Sequence, residues 1–402
     1  MGQCFQLAAP RAKRALRWQG KLGEILFDTS PHELVSLLAV PIEPAHRPVL
    51  HPSAYDTESQ SDSDDDAASP SQSKAVNVVV DADGPKQQHA GSGAKKNPWD
   101  TFRTLPREIH ELIFDHLDLQ DITCVGIAAP NLWNTTQEIV LRYYYSVFGR
   151  WAGENIVCAG DDIVPGDYPP GLFSAEEEED LNKAFLVRNC DLDGFYFDDY
   201  YDYGEAGEEG EEGTVPLTLH TLSNRPDTRI DTEISVENTS MAVFGGCLTR
   251  NEYWTRTMRG QSVYSAISSK YREIFVKRSS FFPAGQAWIL RNLTTKEFVT
   301  SGSIALDAQF INGPFIKGIG FGEVVMSRTC WSSSDCISMS YDGQIHRGVW
   351  AGHRFDITTR GRHDESTKDE EAEWKDVSEE VVAEIAAIWG SEYGPGWREK
   401  YI

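Results

Sequence analysis

A long polar stretch at residues 46–97 interrupts the apolar pattern of the chain. Its segments SQSDSDDDAASPSQSK and GPKQQHAGSGAKK are rich in serine, aspartate, glycine and proline. A stretch of this composition cannot bury enough apolar surface to offset the conformational entropy that folding removes. We therefore predict a disordered acidic and serine-rich linker, which the folded parts of the chain must flank.

Residues 1–45 precede this linker and are too few to bury a core alone. The segment SPHE at residues 30–33 has the spacing of a capping box, with proline at the first helical position. Three leucines follow at helical spacing: Leu34, Leu37 and Leu38. We predict an N-terminal helical segment that docks on a domain later in the chain.

Length, charge and cysteine content restrict the class of protein. The chain has 402 residues, enough for two or three domains, and a net charge of −25. It therefore lacks the basic footprint of nucleic-acid binding, and no nucleic-acid partner is expected. Seven scattered cysteines, without a signal peptide or a long apolar run, indicate a reducing compartment. We expect a cytoplasmic and/or nuclear protein without a membrane partner.

Residues 150–402 mix strand and helix signals. The segment AWILRNLTTKEFVTSGSI (287–304) predicts a hairpin, because two apolar-rich runs flank a polar turn. GEVVMSRTCW (322–331) and RGVWAGHRFDIT (347–358) predict further strands. VSEEVVAEIAAIWGSEYG (377–394) predicts an amphipathic helix. Its apolar side holds Val381, Val382, Ile385 and Ile388.

The predicted fold class is accordingly α+β. A small three-helix unit joins a larger mixed α+β C-terminal domain, on which the N-terminal segment packs. Residues 191–213, DLDGFYFDDYYDYGEAGEEGEEG, form a low-complexity acidic insertion in that domain and are predicted to be mobile. We find no internal repeat that would indicate a solenoid or a propeller.

The three-helix unit is predicted at residues 98–149, which contain LPREIHELIFDHLDLQDI. Pro106 suits a helix start, because the first turn cannot use the N–H that proline lacks. Asp118 is a plausible N-cap of the second helix, and Asn131–Phe148 can form the third. The first helix carries an apolar stripe, Ile109, Leu112, Ile113 and Leu117. The remaining surface of that helix is assigned to Arg107, Glu108, His110, Glu111 and Asp115.

This stretch resembles the F-box over residues 102–145. The match rests on the Leu-Pro pair, the acidic-aliphatic pair, the Ile-Phe pair and the Asp-aliphatic pair at their family spacing. The matching residues are Leu105, Pro106, Glu108, Ile109, Ile113, Phe114, Leu117, Asp121, Ile122 and Val125. Downstream the chain departs from the family, with VGIAAPNLW where Val-Cys-Lys-x-Trp is frequent, so Trp133 would fill the tryptophan position from a shifted place.

The resemblance implies a substrate-recognition subunit of an SCF-type cullin ubiquitin ligase, without bond chemistry of its own. The F-box would bind the Skp adaptor, and the C-terminal region would bind an unknown protein substrate. The implied adaptor-binding residues are Leu105, Pro106, Ile109, Ile113, Leu117, Asp121, Ile122 and Val125. A looser resemblance to uncharacterised filamentous-fungal F-box-containing proteins rests on MGQCFQ, GKLGEILF, WAGENIVCAGD and ISMSYDGQIHRGVWAGHRFDITT.

Two patterns resemble metal sites but lack their spacing. HELIF (110–114) has Phe114 where a zinc protease needs its second histidine. A second set has cysteines spaced more widely than in zinc fingers, and ordinary buried cysteine is favoured: Cys330, Cys336, His346 and His353. We predict no metal, no cofactor, no catalytic residue and no enzymatic activity.

Two loops are similarly incomplete. NCDLDGFYFDDY (189–200) begins like a calcium loop but has Tyr200 where glutamate is required. GIGFGE (318–323) lacks the helix and the residue spacing of a phosphate loop, and it predicts a turn or a bulge.

Two other functions remain as alternatives. The start MGQCFQ would allow acylation at Gly2 and Cys4, which favours a peripheral membrane-associated scaffold. Basic residues nearby would assist it: Arg11, Lys13, Arg14, Arg17 and Lys21. An enzyme without a recognisable motif is the third hypothesis.

Four tryptophans could be anchors that recognise a partner or residues of the core, and the core is favoured: Trp288, Trp331, Trp350 and Trp374.

Overall fold

The computed structural model describes residues 2–28, 31–42, 102, 104–188, 201–203, 214–225, 227–231 and 278–400. The predicted linker at 46–97 lies outside these residues, as does most of the predicted insertion at 191–213. The described residues form helices and several sheets, so the chain is a mixed α+β protein.

The chain divides into two compact units. The large unit holds the described residues up to 42 and from 141 onward, and the small unit holds those from 102 to 140.

The described strands are β1 (Cys4–Ala9), β2 (Arg14–Lys21), β3 (Val157–Gly160), β4 (Phe185–Arg188), β5 (Tyr201–Tyr203), β6 (Thr214–Pro216), β7 (Arg229–Asp231), β8 (Trp288–Asn292), β9 (Glu297–Thr300), β10 (Ile311–Asn312), β11 (Phe315–Ile316), β12 (Cys330–Trp331), β13 (Phe355–Thr359) and β14 (Lys375–Asp376).

Helices of the described residues lie in both units. They are α1 (Leu22–Phe27), α2 (Pro31–Leu38), α3 (Arg107–Phe114), α4 (Leu119–Ala128), α5 (Trp133–Val147), α6 (Ala175–Lys183), α7 (Leu219–Ser223), α8 (Arg278–Phe281), α9 (Ser301–Ile304), α10 (Phe321–Arg328), α11 (Arg360–Thr367) and α12 (Ser378–Tyr393). Short 3-10 turns add Pro10–Ala12, Pro130–Leu132, Ala308–Phe310 and Trp397–Lys400. The predicted helices at 30–38 and 377–394 are therefore confirmed within a few residues.

The main sheet of the large unit joins distant parts of the sequence. Its strand order is β12-β3-β1-β2-β7. Strand β1 pairs antiparallel with β2 and with β3, whereas β12 runs parallel to β3 and β7 runs parallel to β2. The N-terminal segment thus supplies two central strands of a sheet whose other strands come from residues 157–160, 229–231 and 330–331.

The prediction that residues 1–45 are helical is therefore wrong for their first half. Every residue of β1 after Cys4 is buried, including Phe5 and Leu7. A strand covered on both faces has a continuous apolar run instead of alternation, so its sequence carries no period that marks it as a strand. Helix α2 follows as predicted and buries Leu34, Leu37 and Leu38.

A second correction concerns residues 322–331, which were predicted to be a strand. The structure places helix α10 at residues 321–328 and leaves only two residues in β12. The Glu323 carboxylate accepts a hydrogen bond from the Gly320 amide at 2.8 Å and so closes the first turn of the helix. The last three residues of GIGFGE, at 321–323, therefore form the first turn of α10, contrary to the prediction of a turn or a bulge. A Cβ at Gly322 would lie 1.9 Å from the Pro31 carbonyl oxygen, so only glycine allows α10 this close to α2.

The predicted hairpin at 287–304 is confirmed, since β8 and β9 pair antiparallel with Ile289 opposite Thr300. A four-stranded sheet forms in the order β13-β8-β9-β14. The strand predicted at 347–358 is shorter than expected and begins only at Phe355. Of the four tryptophans, Trp288 and Trp350 are core residues, while Trp331 and Trp374 are half-buried.

The buried carboxylate of Asp231 connects several elements at one edge of the main sheet. Asp231 is 2% exposed and accepts a hydrogen bond from the Trp151 indole N–H at 2.7 Å. Arg14 and Arg150 approach the same carboxylate at 3.1 Å and 3.0 Å. Ion pairs of this kind tie β2, β7 and the turn after α5 together.

Candidate docking surface

The three helices that carry the predicted adaptor-binding residues begin where local chemistry favours helix. Pro106 occupies the N-cap position of α3, with φ of −55°. The Asp118 side chain caps α4 and accepts from the Asp121 amide at 2.7 Å, which confirms the predicted N-cap. A 3-10 turn at Pro130–Leu132 then leads into α5.

Helix α3 turns one face into the small unit. Phe114 is 1% exposed, and His110 is 4% exposed. The His110 ring stacks against Phe114 with centroids 6.0 Å apart. Its Nε2 forms a hydrogen bond with the Phe102 carbonyl oxygen at 2.7 Å. Ile122, from α4, is also buried, at 5% exposure.

The prediction that His110 belongs to the exposed surface of α3 is therefore wrong. His110 and Phe114 are four residues apart and share a face of the helix. An imidazole can be buried there because a backbone carbonyl satisfies one of its nitrogens. The spacing in sequence places His110 on the same helix face as Phe114. The Phe102 carbonyl that bonds to its imidazole comes into contact only in the folded chain.

The packing of α4 against α5 depends on one glycine. A Cβ at Gly126 would lie 2.1 Å from Thr136 Oγ1 and 3.1 Å from a ring carbon of Trp133. On the outside of the unit, Arg107 pairs with Glu111 at 2.8 Å and also with Glu138 of α5. The geometry of the three helices is thus set by a close contact inside and by an ion-pair bridge outside.

The opposite face of α3 is apolar and exposed. Leu112 is 61% exposed and Ile109 is 40% exposed, while Ile113 is half-buried. These three residues are spaced i, i+3 and i+4 and therefore form one stripe. Pro106, which is exposed, and Leu105, which is half-buried, precede the same helix. We call these five residues the α3 apolar face.

The predicted adaptor-binding residues divide into three groups by exposure. Pro106, Ile109 and Asp121 are exposed, and Ile122 is buried. The remainder are half-buried: Leu105, Ile113, Leu117 and Val125. Burial removes Ile122 from the accessible surface and gives it a place in the interior of the small unit.

Leu112 is the large residue that sequence reasoning left out of the adaptor-binding set. It is the most exposed apolar side chain on α3, although the F-box pattern does not mark its position. Its spacing of three residues from Ile109 was the signal that could have included it.

The N-terminus of the large unit bears on the acylation hypothesis. A Cβ at Gly2 would lie 2.0 Å from the Ser338 hydroxyl oxygen, and the Gln3 side chain donates to the Ser334 carbonyl at 2.9 Å. Three of the basic residues proposed to face lipid already form ion pairs with acidic residues: Arg11, Lys13 and Arg14. This hydrogen bond and these ion pairs connect the N-terminal segment to later residues of the large unit, and acylation of Gly2 and Cys4 stays a hypothesis.

Among the residues that the structure describes, no three histidine, cysteine or acidic residues are grouped so as to hold a metal ion. Cys330 is buried and Cys336 is exposed, and the calcium-like loop at 189–200 lies outside the described residues. Cys330 lies opposite Cys158 in the sheet, and burial raises the pKa of the Cys158 thiol. That thiol therefore stays protonated and is a poor nucleophile.

Within the part of the chain that the structure describes, no helix has the length and apolar character needed to cross a bilayer. Comparison with models of protein families, with curated proteins and with solved structures gives no match to this chain.

Proposed function

We propose that the chain is an F-box substrate-recognition subunit of an SCF-type ubiquitin ligase. In this proposal α3 and α4 bind the Skp adaptor, and the large unit binds a protein substrate. The observation that carries it is the α3 apolar face, where Ile109 and Leu112 keep large parts of their side chains in water. Helices of this kind bind by laying an apolar stripe into a groove of a partner.

The α3 apolar face supplies part of the free energy of an interface, and other contacts have to supply the rest, because association itself costs about 4 kcal/mol or more. Full burial of one large aliphatic side chain contributes about 1.5–3 kcal/mol. Since Leu112 is 61% exposed and Ile109 is 40% exposed, the two together would add roughly 1.5–3 kcal/mol by the same rule. Leu105, Pro106 and Ile113 would add smaller amounts, and their clustering on one helix face distinguishes them from single exposed apolar residues.

The sequence pattern supports the choice of partner. A generic amphipathic helix needs neither the Leu105-Pro106 pair ahead of α3 nor the Asp121-Ile122 pair in the first turn of α4. The F-box resemblance accounts for both pairs at once.

Binding to the purified Skp adaptor tests the proposal. The double variant Ile109→Asp with Leu112→Asp places two charges on the α3 apolar face, and we expect adaptor binding to fall by at least about a hundredfold. Asp115→Asn is the matched control, because Asp115 is exposed at the end of the same helix. Circular dichroism establishes that both proteins keep their helix content.

Two results would contradict the proposal. One is a wild-type chain that shows no affinity for the adaptor at micromolar concentrations. The other is a double variant that binds as tightly as the Asp115→Asn control. The buried His110 gives a further check, because His110→Ala should lower the stability of the small unit and affect binding only through that loss.

A further inference from the structure

One edge of the main sheet holds a group of side chains with excess positive charge. The guanidinium groups of three arginines lie against the single carboxylate of Asp231: Arg14, Arg150 and Arg229. We call these three residues the arginine cluster. All of them belong to the large unit, and the proposed adaptor surface uses none of them. Three positive charges and one negative charge leave an excess of two, on a chain whose net charge is −25.

The two oxygen atoms of Asp231 are shared unequally among these groups. Oδ2 accepts hydrogen bonds from the Trp151 indole at 2.7 Å and from Arg14 at 3.1 Å. Oδ1 lies 3.0 Å from Arg150 and 3.5 Å from Arg229. The Arg150 side chain is 11% exposed, whereas that of Arg229 is 66% exposed. The carboxylate therefore holds Arg14 and Arg150 in place and leaves most of the Arg229 guanidinium in contact with solvent.

The strand register brings two of these like charges together. Arg14 of β2 and Arg229 of β7 are directly opposite each other in the parallel strand pair. Like charges at opposite positions repel each other and destabilise a sheet. The repulsion also reaches Arg150, because burial lowers the pKa of its guanidinium and the charges of Arg14 and Arg229 lower it as well. A bound anion would relieve this repulsion.

The strand that carries Arg229 lies at the edge of the sheet. Strand β7 is the last in the order β12-β3-β1-β2-β7, so one of its edges pairs with no other described strand. Such an edge presents N–H and C=O groups that can pair with a peptide in extended conformation. Ile230, at the centre of β7, is 47% exposed. A peptide on this edge would cover Ile230 and bring its own side chains within reach of Arg229, the neighbouring residue.

We propose that the arginine cluster binds a phosphate monoester, carried by a phosphorylated serine or threonine of an extended peptide that pairs with β7. A phosphate monoester has a charge of about −1.5 to −2 at pH 7, which matches the excess of two better than a carboxylate does. Arg14 and Arg229 would donate to the phosphate oxygens, since the planar fork of arginine suits that geometry. The strand edge favours a peptide over a small phosphate compound, because a peptide adds backbone hydrogen bonds there. Binding does not depend on the ubiquitin-ligase proposal, and only the assignment of the peptide to a substrate protein rests on that proposed function.

Phosphorus nuclear magnetic resonance of the ligand, titrated with the full-length protein, tests the site. The probe is the acetylated, amidated pentapeptide Thr-Val-phosphoserine-Val-Thr, which should bind with a dissociation constant on the order of 0.1 mM. The same peptide with glutamate in place of phosphoserine competes for the site and should bind at least about tenfold more weakly. Acetylated, amidated phosphoserine and inorganic phosphate lack the strand and should bind at least about threefold more weakly than the phosphopeptide.

Variants of the chain locate the binding. Arg229→Gln should weaken phosphopeptide binding by about threefold to tenfold, because it removes the most exposed charge of the cluster. Arg229→Lys keeps the charge without the planar fork and should recover only part of that loss. Arg398→Gln is the matched control, since it removes the same charge from an exposed position in the 3-10 turn at Trp397–Lys400. The control should leave the affinity unchanged, and circular dichroism establishes that the variants keep their fold.

Specific outcomes overturn the site. These are a dissociation constant for the phosphopeptide above about 10 mM, equal affinity for the glutamate peptide, or equal effects of Arg229→Gln and Arg398→Gln. Equal affinity for the phosphopeptide and for inorganic phosphate would overturn the peptide and leave a small phosphate compound as the ligand. The ligand comparisons use the wild-type chain, so they decide even if Arg229→Gln fails to fold. The titration uses no adaptor, so its failure leaves the adaptor-binding proposal standing, and failure of adaptor binding leaves this site standing.

Discussion

Substitution of Glu323 by glutamine should stabilise the large unit at neutral pH. Glu323 is 2% exposed, and burial raises the pKa of its carboxyl from 4.5 to about 7. His32 lies 4.0 Å away, but burial lowers the pKa of His32, so the two groups do not form a strong ion pair. Glutamine keeps the acceptor for the Gly320 amide and removes the ionisation.

The magnitude follows from the two pKa values. The folded state favours the protonated carboxyl, so this contribution to stability is complete below pH 4.5 and is lost as the pH rises towards 7. The difference between 4.5 and about 7 corresponds to roughly 3 kcal/mol, because each pKa unit equals about 1.4 kcal/mol. We expect Glu323→Gln to unfold at a higher urea concentration than the wild type at pH 8, and at nearly the same concentration at pH 4.5.

Urea unfolding followed by tryptophan fluorescence measures this effect, since the buried Trp288, Trp350 and Trp389 report on the large unit. Other groups titrate in the same interval, including buried histidines. The difference between variant and wild type at each pH therefore isolates Glu323. A difference that does not grow between pH 5 and pH 7, or a variant that is less stable at pH 8, would contradict the raised pKa of Glu323.

Two further predictions concern the packing of each unit. Asp231→Asn removes the buried charge that Arg14 and Arg150 share, and it should cost about 3–5 kcal/mol in urea unfolding. The exposed Asp227→Asn, the control, should cost at most about 1 kcal/mol, and equal costs would contradict the role assigned to Asp231. Gly126→Ala should lower the stability of the small unit by about 1–3 kcal/mol, because its Cβ meets Thr136. Hydrogen exchange of the α4 amides measures that loss, and unchanged protection would show that the two helices tolerate the side chain.

The candidate docking surface was only partly accessible to sequence reasoning. The apolar stripe of α3 follows from spacing alone, and Ile109 is exposed as the F-box pattern implies. Spacing shows which residues share a helix face, but it does not show which face points inward. The sequence predicts an exposed His110 and does not include Leu112 among the adaptor-binding residues. The structure instead buries His110 and exposes Leu112. Adaptor binding by this surface stays a prediction.

The contact of Phe298, His363 and Trp374 had no counterpart in the sequence. Phe298 and Trp374 are far apart along the chain, and they approach only because β14 runs parallel to β9. The His363 ring contacts both of them because α11 packs on the same sheet. A lone histidine and a lone tryptophan carry no periodic signal, so their juxtaposition is decided by strand pairing.

The sequence by itself determined the elements whose signals are local. The helix cap at Asp118, the hairpin at 287–304 and the amphipathic helix α12 depend on residues a few positions apart, and the structure contains all of them. The tertiary structure decided the rest. Strand β1 lies between β2 and β3, and the valine-rich segment at 322–331 is mainly helical, because burial on all sides outweighs intrinsic strand preference. Long-range pairing and burial depend on partners that are distant in sequence, and for these no local period exists.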